Sequence, residues 1–453
     1  TFEDALVKVQ VREELEKLCG DYRAFISENK TERECVRASV ALAEAAGYVN
    51  LDEAVASGRK LAAGDKVYAV SHNKTLMLVN LGSDPLEDGL SILGAHIDSP
   101  RLDLKQNPLY EAGDMAYLDT HYYGGVKAYH WVATPLALHG VIVKKNGETI
   151  TCAIGESEDD PVFTVTDLLP HLAQEQMKRT LAEGLKGEEL NVLVGCRPFK
   201  DDKVSEKVKL NIIRLLNEKY GVVEEDFLSA ELTAVPQFKA RDVGLDRSMV
   251  GSYGHDDRVC AYTSLMAELE AENPAYTTVT VFTDKEETGS DGNTGLNSSY
   301  LKYFIADLAR MEGLEARDVL SRSRCLSADV NAAFDPTFPD VIEKKNAAYL
   351  NRGVVVTKYT GSRGKSGTSD ASAEFMGEVR RLFDEKQICW QTGELGRVDL
   401  GGGGTVAMYV ANLDVDVVDV GVPVLSMHAP FEVVSKIDVY MAFRAFKAFF
   451  GLE

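Results

Sequence analysis

Thr277-Thr278-Val279-Thr280-Val281-Phe282 is an apolar, β-branched run that reads as a strand buried in a core. It leads directly into Asp284-Lys285-Glu286-Glu287-Thr288-Gly289-Ser290, where Gly289 and Gly292 mark a turn. Open α/β sheets place their ligands just beyond the C-terminal ends of their strands. Two adjacent glutamates at such an end point in different directions, so one can hold a cation while the other handles a proton.

The pattern recurs along the chain. Leu90–Ala95 reads as a strand that runs into His96-Ile97-Asp98, and Cys325-Leu326-Ser327-Ala328 ends in Asp329. Val422–Met427 leads into His428-Ala429-Pro430, and the turn Gly251-Ser252-Tyr253-Gly254 precedes His255-Asp256-Asp257-Arg258. Helical signals alternate with these strands. Residues 1 to about 47 look helical, with a capping box at Thr31-Glu32-Arg33-Glu34 and a stop at Gly47. Val259, Tyr262, Leu265, Met266 and Leu269 share a helical face; further helices are predicted over Ser299–Met311, Ala371–Lys386 and Ile437–Phe450. Alternation of this kind predicts an α/β fold, an α/β/α sandwich around a mixed sheet.

From about 106 to 242 the texture changes. Short strand-like pieces (Trp131–Ala137, Gly140–Val143, Thr149–Ile154) are followed by a predicted helix over Leu172–Leu185 and a polar run Lys200–Lys209. The strand-plus-loop pattern resumes near 245. The domain reading is therefore a discontinuous core, 1–105 and 243–453, interrupted by an inserted β-rich domain over 106–242.

Composition narrows the partners. The chain has 453 residues and a formal net charge of -22, which disfavours nucleic acid and anionic membranes as partners. No apolar run approaches the ~20 residues of a bilayer span, and Thr1-Phe2-Glu3-Asp4 has no secretory pattern. Seven scattered cysteines without a C-x-x-C pair point to a reducing, cytoplasmic setting and exclude a cysteine-rich zinc site. Cys19, Cys152, Cys196, Cys325 and Cys389 read as small apolar packing residues.

His96 with Asp98, Asp256 with Asp257, Glu286 with Glu287, Asp329 and His428 together form a donor set of imidazoles and carboxylates that suits zinc. Each part also has a plainer reading. H-x-D occurs a second time at His255, Asp329 suits a helix cap, and Asp257-Arg258 suits a surface ion pair. Gly401–Gly404 lacks the P-loop pattern and reads as a close-packed turn or, at Gly403, a backbone wall beside a substrate. His72, His121, His130 and His139 read as structural.

Taken together, Gly94–Leu102, Gly254–Cys260, Asp284–Ser290, Ser327–Asp329 and Ser426–Pro430 resemble the aspartyl aminopeptidases. These are dinuclear zinc exopeptidases that include the vacuolar aminopeptidase I type, and the motifs span 94 to 430 in the family's order. The resemblance implies a zinc-exopeptidase core carrying an inserted dimerisation domain, with dimers built into a tetrahedral dodecamer. It implies two zinc ions per subunit, although cobalt or manganese suits the same ligands. His96, Glu287, Asp329 and His428 would be terminal ligands. Asp256 would bridge, followed by Asp257 through an unusual peptide geometry. Asp98 would orient His96, and Glu286 would be the general base and acid.

The implied reaction releases N-terminal acidic residues from peptides. A substrate carboxylate needs a cation, and Lys358 occupies about the place of the family's specificity lysine, with Arg352, Arg363 and Lys365 as competitors. His171 stands in Pro170-His171-Leu172. Glu175 replaces the second histidine of eukaryotic members, which sets a subunit-crossing contact and strict acidic specificity apart from that pattern. The competing readings are a related dinuclear zinc hydrolase, such as a glutamyl or leucyl aminopeptidase or a deacylase, and a non-catalytic metal-stabilised shell. The second would not need Glu286.

Overall fold

A computed structural model of the chain describes residues 2–200, 203–361 and 363–451. Thr1 and, within the polar run, Asp201 and Asp202 lie outside the described residues. The chain divides into two compact units: 1–98, 240–427 and 431–453 form the first, and 99–239 with 428–430 the second. The divisions fall at Asp98/Ser99 and Lys239/Ala240, against the expected 105/106 and 242/243. The reason lies in pairing: the strand Arg101–Ala112 bonds to Met115–Tyr123 and Ala230–Pro236, both in the second unit.

Among the described residues of the first unit, a nine-stranded mixed sheet is the central layer. Its order is Val49–Asn50, Lys66–Ser71, Thr75–Asn80, Thr277–Thr283, Leu90–His96, Arg324–Ser327, Asp416–Gly421, Val354–Thr357 and Trp390–Thr392. Thr277–Thr283, Leu90–His96 and Arg324–Ser327 are adjacent and parallel. Thr283 lies opposite His96, and Ser327 opposite Gly94. The three strands thus release their chains at one edge, and the residues just beyond them are Asp284–Glu287, Ile97–Asp98 and Asp329.

Strand alternation builds a core on both faces. Leu76, Leu78 and Leu93 pack on one side with the helices Glu32–Ala45, His255–Leu269, Ala373–Glu385 and Lys436–Phe449. Met77, Val79, Ile92, Val279 and Val281 pack on the other with Tyr300–Met311, Ala316–Leu320 and Ala407–Ala411. Each fully buried leucine or valine contributes about 1.5–3 kcal/mol. The strand ends therefore leave a rigid layer. A smaller five-stranded sheet, Arg241–Val243, Met249–Ser252, Glu432–Ser435, Pro423–Leu425 and Asn331–Ala332, completes this unit. No helix among the described residues is long and apolar enough to cross a membrane.

The second unit is a seven-stranded sheet with the helix Lys207–Tyr220. Two local expectations fail there. The predicted helix over Leu172–Leu185 is a chain of turns with a short 3-10 segment at Gln176–Lys178. Leu172, Met177 and Leu181 are exposed, so no apolar face is packed to hold a helix. The strand expected over Trp131–Ala137 begins only at Leu136, after a 3-10 turn at Ala128–Trp131. The cysteine reading is corrected at two positions: Cys196 and Cys389 are exposed, while Cys19, Cys152 and Cys325 are buried as expected.

Candidate active site

His96 is the last residue of its strand and is fully buried. Its Nδ1 lies 3.1 Å from the Asp98 carbonyl and 3.2 Å from Asp98 Oδ1. Both partners are acceptors, so Nδ1 carries a proton, and Nε2 is the ring nitrogen turned toward the other carboxylates. Nε2 faces Asp256 Oδ1 at 3.0 Å, Glu286 Oε2 at 3.6 Å and Asp329 Oδ1 at 3.7 Å. Burial pulls the His96 pKa down, but Glu286, Asp256, Asp329 and Asp98 together hold it well above its usual value.

Asp98 ties this imidazole to the glutamate turn. Its Oδ1 accepts from the Glu286 N–H at 3.2 Å and its Oδ2 from the Glu287 N–H at 3.1 Å. One buried carboxylate thus sets the ring of His96 and the backbone carrying both glutamates.

Asp256 and Asp257 are joined by a cis peptide bond. Both have non-helical backbone angles, so the regular helix starts at Arg258. The Asp256 N–H donates to Glu432 Oε2 at 3.1 Å, and Asp257 Oδ2 accepts from the His96 N–H at 3.3 Å. The surface ion pair allowed for Asp257-Arg258 is not formed. Both residues are fully buried, and the Arg258 guanidinium donates instead to the carbonyls of Lys30, at 2.7 Å, and Ile97, at 3.3 Å. Asp329 caps no helix, because a short strand at Asn331–Ala332 follows it. Its carbonyl packs so closely on Gly421 that a Cβ there would lie 1.7 Å away.

The donor atoms converge in two overlapping groups, His96 with Asp256 and Glu287, and His96 with Asp257 and Asp329, each within 4.8 Å. Burial, followed by like charge from neighbouring carboxylates, pushes Asp257 and Glu286 well above the carboxylate range; burial also raises Asp329. Asp257 Oδ1 is buried and accepts no hydrogen bond from the described residues. So much negative charge in so little water is stable with protons or with a cation. An imidazole lone pair among carboxylates is a donor set for zinc, and these residues fit it. Asp257 stood in the expected donor set beside Asp256, but the terminal and bridging roles were expected of other residues; the structure brings its carboxylate into the second group.

His428 belongs to the second unit. Its Nδ1 donates to the Gly125 carbonyl at 3.0 Å, which leaves Nε2 as the unprotonated nitrogen. A Cβ on Gly125 would come within 3.1 Å of that Nδ1, so glycine permits the contact. Of the expected substrate residues, His171 is exposed in the second unit and Lys358 is half-buried just past its strand. Lys358 and Lys365 both pair with Asp370. The Gly403 N–H donates to the Thr360 carbonyl at 2.8 Å, in keeping with a close-packed turn. Glu175 is paired with Lys178 at 2.6 Å. Sequence reasoning missed Glu432 and Tyr409, whose hydroxyl reaches the end of the glutamate turn.

A model of the aminopeptidase I zinc metalloprotease (M18) family matches residues 25–450. The "Probable M18 family aminopeptidase 1" of Clostridium acetobutylicum is 52% identical over 435 residues, covering 95% of this chain and 94% of that protein. The crystal structure of an M18 family aminopeptidase from Thermotoga maritima superposes with a TM-score of 0.92 at 43% identity, covering 97% of this chain and 96% of that one. That of aminopeptidase I from Clostridium acetobutylicum superposes with a TM-score of 0.91 at 50% identity, covering 96% of each. A dodecameric aminopeptidase of Saccharomyces cerevisiae shares the fold, with a TM-score of 0.76 at 20% identity over 96% of this chain and 97% of that one.

Proposed function

The chain belongs to the aminopeptidase I (M18) zinc metalloprotease family and is a metalloaminopeptidase, and from that premise we propose that it releases acidic residues from peptide N-termini, with Glu286 as general base and acid and two zinc ions per subunit. The observation that carries the reading is the meeting of His96, Asp256, Asp257, Glu287 and Asp329 beside a glutamate that is not needed to hold a metal. His96, Asp256, Glu287, Asp329 and His428 would hold the ions. When bound, zinc supplies a Lewis acid and lowers the pKa of water.

The residues supply the remainder. Asp98 holds His96 through Nδ1, which would leave Nε2 for a metal ion, and sets the glutamate turn through two backbone amides. Glu286, 3.6 Å from His96 Nε2 and beside Glu287 in the same turn, is the group proposed to take a proton from water and return it to the leaving amine. Lys358 is the proposed reader of the substrate carboxylate, in competition with Asp370. Self-association into dimers and a dodecamer is part of the same proposal, supported by the dodecamer of the yeast protein that shares the fold.

The test is turnover of Asp, Glu, Leu and Lys aminoacyl reporters and of N-acetyl-Asp, with zinc, cobalt or manganese and with a chelated control. Chelator-sensitive cleavage of free Asp and Glu, with the acetylated form refused, is the expected result. Preference for Leu or Lys removes the acidic pocket and keeps the peptidase.

A further inference from the structure

The turn that carries Glu286 is shaped against the preferences of its own residues. Lys285 and Ser290 have φ of 70° and 60°, flanking Glu286–Thr288, and Gly289 has φ of 101°. Left-handed backbone is disfavoured for residues with a Cβ, so it persists where the surroundings over-determine it. Inside the turn, the N–H groups of Thr288 and Ser290 donate to the Lys285 carbonyl at 3.1 and 2.7 Å, and that of Gly289 to the Glu286 carbonyl at 3.0 Å. Asp98 holds its near side through the amides of Glu286 and Glu287. The far side is met by Tyr409, whose hydroxyl donates to the Gly289 carbonyl at 2.9 Å.

Tyr409 is well mounted for this. It lies on the short helix Ala407–Ala411, whose Ala407 and Val410 are buried. The helix start is pinned by Thr405, which accepts from the Ala407 N–H at 3.3 Å and donates to the buried Asp419 at 3.2 Å. The partly buried ring packs against the core, and the hydroxyl reaches the turn.

We infer that Tyr409 is a positioning residue: its hydroxyl straps the Gly289 end of the turn and so fixes the carboxylate of Glu286 against its Asp98-clamped backbone. The inference rests on Glu286 being the base. Glu287 shares the turn, but as a ligand it would be held by the ion as well. Loosening the strap therefore acts first on the residue that has no such tether.

The experiment compares wild type, Tyr409→Phe, Glu286→Gln and the double variant, on the aminoacyl p-nitroanilide that wild type turns over fastest. The readouts are kcat, KM and bound zinc. Tyr409→Phe keeps the ring, and so the packing. The expected result is a roughly tenfold fall in kcat, the rate equivalent of one hydrogen bond, with KM and zinc content unchanged. In the Glu286→Gln background the second substitution is expected to cost nothing further, because the group it positions is gone. An unchanged kcat, a loss confined to KM or zinc, or the same fold-loss in both backgrounds would overturn the inference. A Glu286→Gln enzyme as fast as wild type would instead remove the base assignment itself.

Discussion

Replacing Asp98 with asparagine probes the joint between the imidazole and the glutamate turn with almost no change of shape. In the native site, Oδ1 accepts from the Glu286 N–H at 3.2 Å and faces His96 Nδ1 at 3.2 Å, while Oδ2 accepts from the Glu287 N–H at 3.1 Å. Asparagine keeps one oxygen. Placed on the side that serves two donors, it leaves an NH2 group pointing at the Glu287 N–H. A buried donor without an acceptor costs about 1–3 kcal/mol. The two surviving bonds drop from charge-assisted to neutral strength, roughly half. Together these amount to on the order of 3–4 kcal/mol, divided between stability, metal affinity and catalysis. Weakening the partner that orients a histidine ligand costs up to about 10–100-fold in metal affinity. Asp98→Asn is therefore expected to bind zinc more weakly by about that factor, and to turn over roughly tenfold more slowly even at saturating zinc. Zinc affinity is read by competition with a chelator of known strength, and kcat in zinc excess. An Asp98→Asn enzyme with wild-type affinity and wild-type kcat would refute the clamp.

Other perturbations separate the remaining roles. Asp256→Ala removes the carboxylate 3.0 Å from His96 Nε2 and is expected to leave less than one zinc per subunit by elemental analysis; native stoichiometry would place the shared ligand elsewhere. Asp370→Asn releases Lys358 and Lys365 from their common partner. An exposed pair is worth about 1 kcal/mol or less, so KM for an Asp reporter is expected to fall by no more than a few-fold while KM for Leu stays fixed. Equal changes for both would rule out Lys358 as the reader. Glu268 is fully buried, and burial raises its pKa from 4.5 to about 7 against the opposing hydroxyls of Tyr48, Thr280 and Thr278. Its folded form holds a proton that its unfolded form gives up, so stability is fully present below 4.5 and is lost as pH rises to 7. Unfolding free energy, measured by denaturant titration from pH 4.5 to 8, is expected to fall more steeply in wild type than in Glu268→Gln, by on the order of 3 kcal/mol. Parallel curves would show that Glu268 does not titrate in this window.

Much of this architecture was legible because the chain marks its strand ends. Leu90–Ala95, Thr277–Phe282 and Cys325–Ala328 are apolar runs that stop at a histidine or an acid, and each forms a buried strand delivering that residue to one sheet edge. The Thr31–Glu34 capping box is present as expected. What was illegible depends on contacts distant in sequence. Asp257 enters the donor cluster through its bond to the His96 backbone, 161 residues away. Glu432 reaches the Asp256 amide across 176 residues, by the antiparallel pairing of Glu432–Ser435 with Met249–Ser252. Glu432 carries no local signal that separates it from an ordinary acidic residue; Asp257 was visible beside Asp256, but its place under the His96 backbone was not. The helix Lys207–Tyr220 went unread beside its polar run, because its stability comes from the sheet it packs on.

The strand-end pattern also explains why Asp98 and Tyr409 differ in how readily they can be found. Asp98 lies two residues past the strand that ends in His96, so chain geometry alone brings it under the imidazole, and H-x-D announces it. Tyr409 comes from a different layer: its helix is ordered by Val406, Ala407 and Val410 in the core beneath the sheet, 120 residues from the carbonyl it bonds. A group that serves the chemistry through packing of that kind looks, in sequence, like any aromatic on a helix. The turn it meets holds Lys285 and Ser290 in left-handed backbone. Such a turn needs restraint on both sides, and the near side is taken by Asp98. The sterically costly backbone therefore points to where a second restraint belongs, and Tyr409 is the side chain found there.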